Sequence, residues 1–129
     1  FQELRTKCHK AAYWSNSNAG YDRKGDTLRF GGYFCSCDER WGHEEWRLAE
    51  RMQDIFTAVA HYETNTFGRF PAGFSELLGY SDVSTSQFQF PTCQKLVHLR
   101  MFKNGRVDLK FKTAALAKEF AETYLDYSC

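Results

Sequence analysis

The feature that most constrains the fold is the stretch 95–112, KLVHLRMFKNGRVDLKFK, in which two alternating segments flank an Asn-Gly pair. Successive side chains of a strand point to opposite faces, so every second residue shares a face. The apolar residues recur at that period on both sides of the turn: Val97, Leu99, Met101, Val107, Leu109 and Phe111. The pattern predicts a β-hairpin with one buried and one solvated face.

The register of this hairpin follows from its loop length. A two-residue loop at Asn104-Gly105 would place Met101 opposite Asp108, so that an apolar side chain faces a charged one. A three-residue loop, residues 103–105, instead gives only apolar pairs: Met101 with Val107, Leu99 with Leu109 and Val97 with Phe111. We therefore predict the three-residue loop, with Gly105 at the left-handed position that this hairpin type requires.

The opposite face of the predicted hairpin is mainly basic. It carries the candidate binding residues His98, Arg100, Phe102, Arg106, Lys110 and Lys112, together with Asp108. A two-stranded basic ribbon can lie in a major groove or along phosphates, and the aromatic ring can stack on a base. An ordinary solvated sheet face has a similar composition. The face is thus a candidate surface for nucleic acid or for a protein partner.

Charge and composition set the limits of that hypothesis. The chain has 17 basic and 16 acidic residues, so its bulk charge implies no nonspecific binding to nucleic acid. With 129 residues, 43% of them hydrophobic, residues 1–129 are predicted to form one domain with its own core. No apolar run approaches the length of a membrane span, so no membrane partner is predicted. The chain begins at Phe1, which predicts a fragment or a processed product of a longer protein.

The remaining elements are read from periodicity and turn residues. Helical spacing over 1–12 predicts a helix, 15–25 reads as loop, and 27–37 favours a strand. A long central helix is predicted from Asp38 to Tyr62, with Asp38 and Glu39 at its start. A helical turn at 75–78, a strand at 86–91 and a final helix, 114–125, capped by Thr113 complete the chain. The order predicts an α+β fold, with a mainly antiparallel sheet, a long central helix and a C-terminal helix after the hairpin.

The cysteine count favours a reduced protein. The chain has five cysteines, Cys8, Cys35, Cys37, Cys93 and Cys129. An odd number fits a cytosolic protein, while two bridges and one free thiol would fit a secreted one. Cys35 and Cys37 are predicted not to bridge, because neighbours two apart on a strand lie about 6.5–7 Å from each other. Under oxidation, Cys8–Cys129 or Cys35–Cys129 is the expected link.

No complete catalytic or metal-binding motif is present. Zinc would need Cys35-x-Cys37 with His43 or Cys8-His9, but structural zinc sites use thiols two to four residues apart, twice over. Cysteine–histidine pairs drawn from Cys35, Cys37 or Cys93 with His43, His61 or His98 lack any local signature. We therefore predict no metal, no cofactor and no nucleophilic site.

Carboxylate and phosphate chemistry is equally unsupported. Glu44 and Glu45 are adjacent, so they do not share a helix face. A ribonuclease set of base, arginine and histidine acid lacks a histidine after His98. Neither glycine-rich phosphate fingerprint occurs. The sequence thus leans toward a binding protein without catalysis.

The C-terminal pattern also carries a resemblance. Phe102, Lys103, Asn104, Gly105, Leu109, Phe111 and Lys112, followed by a helix, resemble the C-terminal end of an uncharacterised domain of phage- and plasmid-borne bacterial proteins. Such domains occur near toxin–antitoxin genes or linked to DNA methyltransferases. The upstream piece GGYFCSCDERWGHEEWRLAERM is similar in layout, so that the resemblance covers 27–125. It implies a cytoplasmic accessory module of a mobile genetic element, with a nucleic-acid-related role and no catalytic residues.

A second pattern resembles secreted fungal ribonuclease-like effectors. Those small α+β domains carry an aromatic-x-Cys and a terminal cysteine, which Tyr33-Phe34-Cys35 and Cys129 match here. This resemblance implies a secreted, disulfide-stabilised effector that binds without catalysis, and it stands as the alternative.

Overall fold

A computed structural model describes residues 2–12, 21–31, 34–40, 42–66, 71, 74–78 and 83–125. Its helices are α1 (Gln2–Ala12), α2 (Glu50–Thr64), α3 (Phe74–Leu77) and α4 (Ala114–Phe120), and a π-helical turn, Ala121–Leu125, continues α4. Its strands are β1 (Tyr21–Lys24), β2 (Thr27–Phe30), β3 (Cys35–Arg40), β4 (His43–Leu48), β5 (Gln87–Gln89), β6 (Leu96–Met101) and β7 (Val107–Phe111). The predicted α+β class is confirmed.

The strands form two sheets. Five of them make an antiparallel sheet in the order β1-β2-β7-β6-β5, and β3 pairs with β4 in a separate hairpin. The predicted C-terminal hairpin is β6–β7, and it lies inside the larger sheet rather than at its edge.

The helices cover one face of the five-stranded sheet. That face contributes Leu28, Phe30, Leu99, Leu109 and Phe111, all without solvent exposure, to the core. The ring of Phe111 lies 5.7 Å from that of Phe120 in α4 and 6.3 Å from that of Tyr62 in α2. Burial of each such side chain contributes about 1.5–3 kcal/mol. The opposite face, which carries the polar residues of the same strands, is called the open face below.

The hairpin loop has the predicted form. The amide of Gly105 donates to the carbonyl oxygen of Phe102 at 3.0 Å, and Gly105 has φ +92°. Met101 faces Val107 and Leu99 faces Leu109, as predicted. The pair Val97–Phe111 is wrong. Phe111 faces Leu96, and the register shifts between Leu96 and His98.

A β-bulge explains the difference. One extra residue on a bulged strand stays unpaired and bends that strand. Here the bulge turns Leu96 fully into the core and leaves Val97 half-buried. The carbonyl oxygen of Val97 instead accepts a hydrogen bond from the amide of Phe90 at 3.0 Å.

The prediction of a long central helix is correct only for the second half of that helix. Residues 35–48 form the β3–β4 hairpin, and α2 begins at Glu50. Asp38 and Glu39 therefore lie in a strand and not at a helix start. The β3–β4 hairpin is stabilised by distant contacts made by β4. Its Trp46 and Leu48 are buried, and the backbone of Trp46 pairs with that of Val83. Trp41, which lies within the range of the predicted helix, is outside the described residues.

Two further boundaries differ from the predictions. Residues 27–37 are not one strand, because β2 and β3 belong to different sheets. Part of the predicted loop 15–25 is strand β1, while 15–20 lie outside the described residues. The predicted elements α1, α3, β5 and α4 are present. The Thr113 hydroxyl oxygen accepts from the amide of Leu116 at 3.2 Å, so the predicted cap is confirmed.

Cys8, Cys35, Cys37 and Cys93 are free thiols. The prediction that Cys35 and Cys37 do not bridge is therefore confirmed. Cys129, the expected partner under oxidation, lies outside the described residues. In the ranges given above, no helix combines the length and the apolar composition that crossing a bilayer requires.

Candidate nucleic-acid interface

The open face is organised in rows that run across the strands. One row, called here the neutralised row, consists of Asp22, Arg29, Asp108, Arg100 and Gln87. The next, called the donor row, consists of Lys24, Thr27, Lys110, His98 and Gln89. Each row crosses all five strands and spans about 19 Å at the usual strand spacing.

Charges in the neutralised row compensate one another. The Arg29 guanidinium donates to both carboxylate oxygens of Asp22, at 2.8 and 2.6 Å, and this hydrogen bonding lowers the pKa of Asp22. Arg106 lies just before β7, two residues from Asp108. Its Nε is 3.1 Å from a carboxylate oxygen of Asp108. The Asp22–Arg29 pair is largely exposed, and such pairs stabilise a fold by only about 0–1 kcal/mol, while the Arg106–Asp108 pair is half-buried. Their main effect here is to leave little net charge in this row.

The donor row contains no carboxylate. Lys24 and Lys110 are exposed, and no ion pair is found for either within the described part of the chain. The nearest acid along the chain is Asp26, in the β1–β2 turn, which accepts a hydrogen bond from the Thr27 hydroxyl at 3.1 Å. Burial, followed by the charges of Arg100 and Lys110, lowers the pKa of His98. Apart from Thr27, whose hydroxyl already donates to Asp26, every member of this row can donate a hydrogen bond to a ligand.

A stack of side chains ends the open face at the β6–β7 loop. The guanidinium carbon of Arg106 lies 4.0 Å from the ring centroid of Phe102, and that of Arg100 lies 4.7 Å from the same centroid. Both distances are within cation–π range. Phe102 is half-buried and Arg100 is exposed, so the stack presents a guanidinium to solvent.

The predicted two-stranded ribbon is corrected by the sheet topology. β7 also pairs with β2, and β6 also pairs with β5, so neither strand has a free edge. The loop is anchored as well, because the Gly105 carbonyl oxygen accepts from the amides of Phe34 and Cys35 at 2.9 and 3.2 Å. A face about 19 Å wide does not enter a major groove about 12 Å wide.

The structure brings most of the predicted site residues together. His98, Arg100, Phe102, Arg106 and Lys110 share the open face, while Lys112 is exposed just beyond the end of β7. The structure adds Lys24, Thr27 and Arg29, which the sequence analysis missed. The available signal was the Gly25-Asp26 pair between two short polar-apolar runs, a typical two-residue hairpin turn.

The thiols are poorly suited to catalysis. Burial raises the pKa of Cys8 and Cys35, and burial together with Glu63 raises that of Cys93 to about 11. The thiolate is the nucleophile and the metal ligand, so these shifts oppose both roles. The thiol of Cys35 donates to the Phe102 carbonyl oxygen, with sulfur and oxygen 3.3 Å apart. Within the described ranges, no group of three or more potential ligand side chains could hold a metal ion; the side chain of His43 lies outside them.

No protein-family model, curated protein or solved structure matches this chain. The resemblances to the mobile-element domain and to the fungal effectors therefore stay predictions.

Proposed function

We propose that this protein is a non-enzymatic module that binds nucleic acid through the open face of its five-stranded sheet. The observation that carries the proposal is the distribution of charge on this face. Its carboxylates, Asp22 and Asp108, are already paired with Arg29 and Arg106, whereas Lys24 and Lys110 face solvent. A surface of this kind attracts phosphates even in a chain of nearly neutral composition.

The exposure of the face also supports binding rather than catalysis. The helices pack on the other side of the sheet, so the long basic side chains of β1, β6 and β7 reach solvent. No feature of the buried thiols supports a reaction. An accessory role in a mobile genetic element is what the first resemblance implies, and we retain it as part of the proposal.

A binding titration at two salt concentrations tests the proposal. We expect labelled nucleic acid to bind at low ionic strength and to lose affinity as salt rises, by about 0.7–0.9 in the logarithmic slope per phosphate contact. Lys110→Glu should weaken binding at low salt several-fold. Lys118→Glu, on helix α4, makes the same charge change away from the open face and should leave binding unaltered.

Absence of binding at low salt would contradict the proposal. If neither duplex nor single strand binds at low salt, where screening is weakest, the open face does not bind nucleic acid. A protein partner would then be the remaining explanation for the exposed basic side chains.

A further inference from the structure

Apart from the exposed Arg100, the unpaired charge of the open face lies along a single line. Lys24 and Lys110 are two strands apart in the donor row, which corresponds to about 10 Å, and Thr27 lies between them. On one side the neutralised row runs parallel to this line, and its paired carboxylates and guanidinium groups leave little net charge to attract a second row of phosphates. One line of hydrogen-bond donors suits a ligand with one phosphodiester backbone better than a duplex, which has two.

The stack beside this line offers a surface for a base. Arg100 lies two residues from His98 on β6, and therefore about 7 Å from the donor row. The Phe102 ring packs against one side of the Arg100 guanidinium, and Arg106 packs against the same ring. Unpaired bases stack on arginine planes as well as on aromatic rings. Because two guanidinium groups already cover the Phe102 ring, the base would stack on Arg100 and not on Phe102.

A duplex fits this arrangement poorly. Its bases are stacked inside and cannot reach a guanidinium plane on the protein. Groove binding needs an element that protrudes, and here the β6–β7 loop is anchored to Phe34 and Cys35.

We propose that the ligand of the open face is a single-stranded nucleic acid, whose backbone follows the donor row across the strands and whose base stacks on Arg100. This inference rests on the function proposed above and specifies its ligand. Lys24 and Lys110 hold phosphates, and the donors beyond them in the row, His98 and Gln89, orient the backbone.

Fluorescence anisotropy with three labelled probes tests the proposal. The probes are a DNA strand of about 16 nucleotides, the matching RNA strand and the DNA duplex. The length of about 16 nucleotides covers the site sizes of sheet-based single-strand binders. We expect both single strands to bind more tightly than the duplex. The two single strands together show whether the 2′-hydroxyl contributes.

Four variants locate the ligand. Lys24→Gln and Lys110→Gln should each reduce the salt slope for the single strand by about 0.7. Lys118→Gln is the matched control with the same change of charge, and its slope should equal that of the unmodified protein. Arg100→Lys keeps the charge and removes the plane, so we expect roughly tenfold weaker single-strand binding at an unchanged slope.

The outcomes separate the two proposals. If the duplex binds as tightly as the single strands, or if Lys24→Gln leaves the slope unchanged, the single-strand inference is wrong while nucleic-acid binding stands. If no probe binds at low salt, the proposed function itself fails, and this inference fails with it.

Discussion

Gly105 is the residue on which the β6–β7 connection depends. Its φ of +92° lies in the region that side chains with a Cβ rarely adopt. It is buried, and its carbonyl oxygen accepts from two amides at the start of β3. The same residue thus closes the central hairpin and attaches the β3–β4 hairpin to it.

We expect Gly105→Val to lower the free energy of unfolding by about 1–2 kcal/mol or more, because a β-branched residue resists this backbone conformation. Urea denaturation followed by circular dichroism measures the change. Gly31→Val is the control, since Gly31 is exposed, has no positive φ and has open space around its Cβ position. Equal midpoints for the two variants would show that the left-handed conformation is not what matters at position 105.

At the scale of single elements, helices α2 and α4 begin differently. The residues before them, Ala49 and Thr113, both have extended backbone angles, but only Thr113 caps its helix through a side chain. The first amides of a helix lack partners within the helix, so a capping oxygen stabilises it. The cap of α4 also fixes the point at which the chain leaves β7.

Thr113→Ala should therefore destabilise the protein by about 1 kcal/mol, and Ala49→Ser should stabilise it by a similar or smaller amount. The midpoints of urea denaturation of both variants, with unchanged slopes, would report these changes. Should Thr113→Ser, which retains the hydroxyl, be as unstable as Thr113→Ala, the loss would come from the methyl group and not from the cap.

At the scale of the whole molecule, His61 connects α2 to the C-terminal π-helical turn. Its Nδ1 and the Tyr124 hydroxyl oxygen are joined by a hydrogen bond of 2.7 Å, and both side chains are buried. His9 of α1 makes a second such link, from its Nδ1 to the Leu125 carbonyl oxygen at 2.6 Å. Two imidazoles thus hold the same turn against two different helices.

We expect the stability of the fold to depend on pH through His61. Burial lowers its pKa in the folded protein, while the unfolded value is about 6.5. The unfolded chain then binds more protons just below pH 6.5, so the free energy of unfolding falls as the pH drops through this range toward the folded pKa. Urea midpoints at pH 7.5, 6.5 and 5.5 should decline less steeply for His61→Gln than for the unmodified protein. Parallel declines in the two proteins would place the pH dependence elsewhere, for example at His98.

Several parts of this protein depend on local chemistry and can be predicted from the sequence. Alternation and the Asn104-Gly105 pair specified the hairpin, its three-residue loop and two of its three apolar pairs. Thr113 specified the start of the last helix, and five of the six predicted binding residues do share one face. These features follow from the period of a strand, the φ of a glycine and a capping hydroxyl, each of which acts within a few residues.

Other features depend on partners that are distant in the chain. The pattern predicts a helix over 38–48, yet the pairing of Trp46 with Val83 and the attachment of Phe34 to Gly105 stabilise a hairpin there. The bulge at Val97 coincides with the hydrogen bond that its carbonyl oxygen accepts from the amide of Phe90. The donor row joins Lys24 to Lys110 across strands that are far apart in the chain. The pattern of apolar and polar residues within one segment carries no information about such pairings. The order of the strands is set by the packing of the whole core.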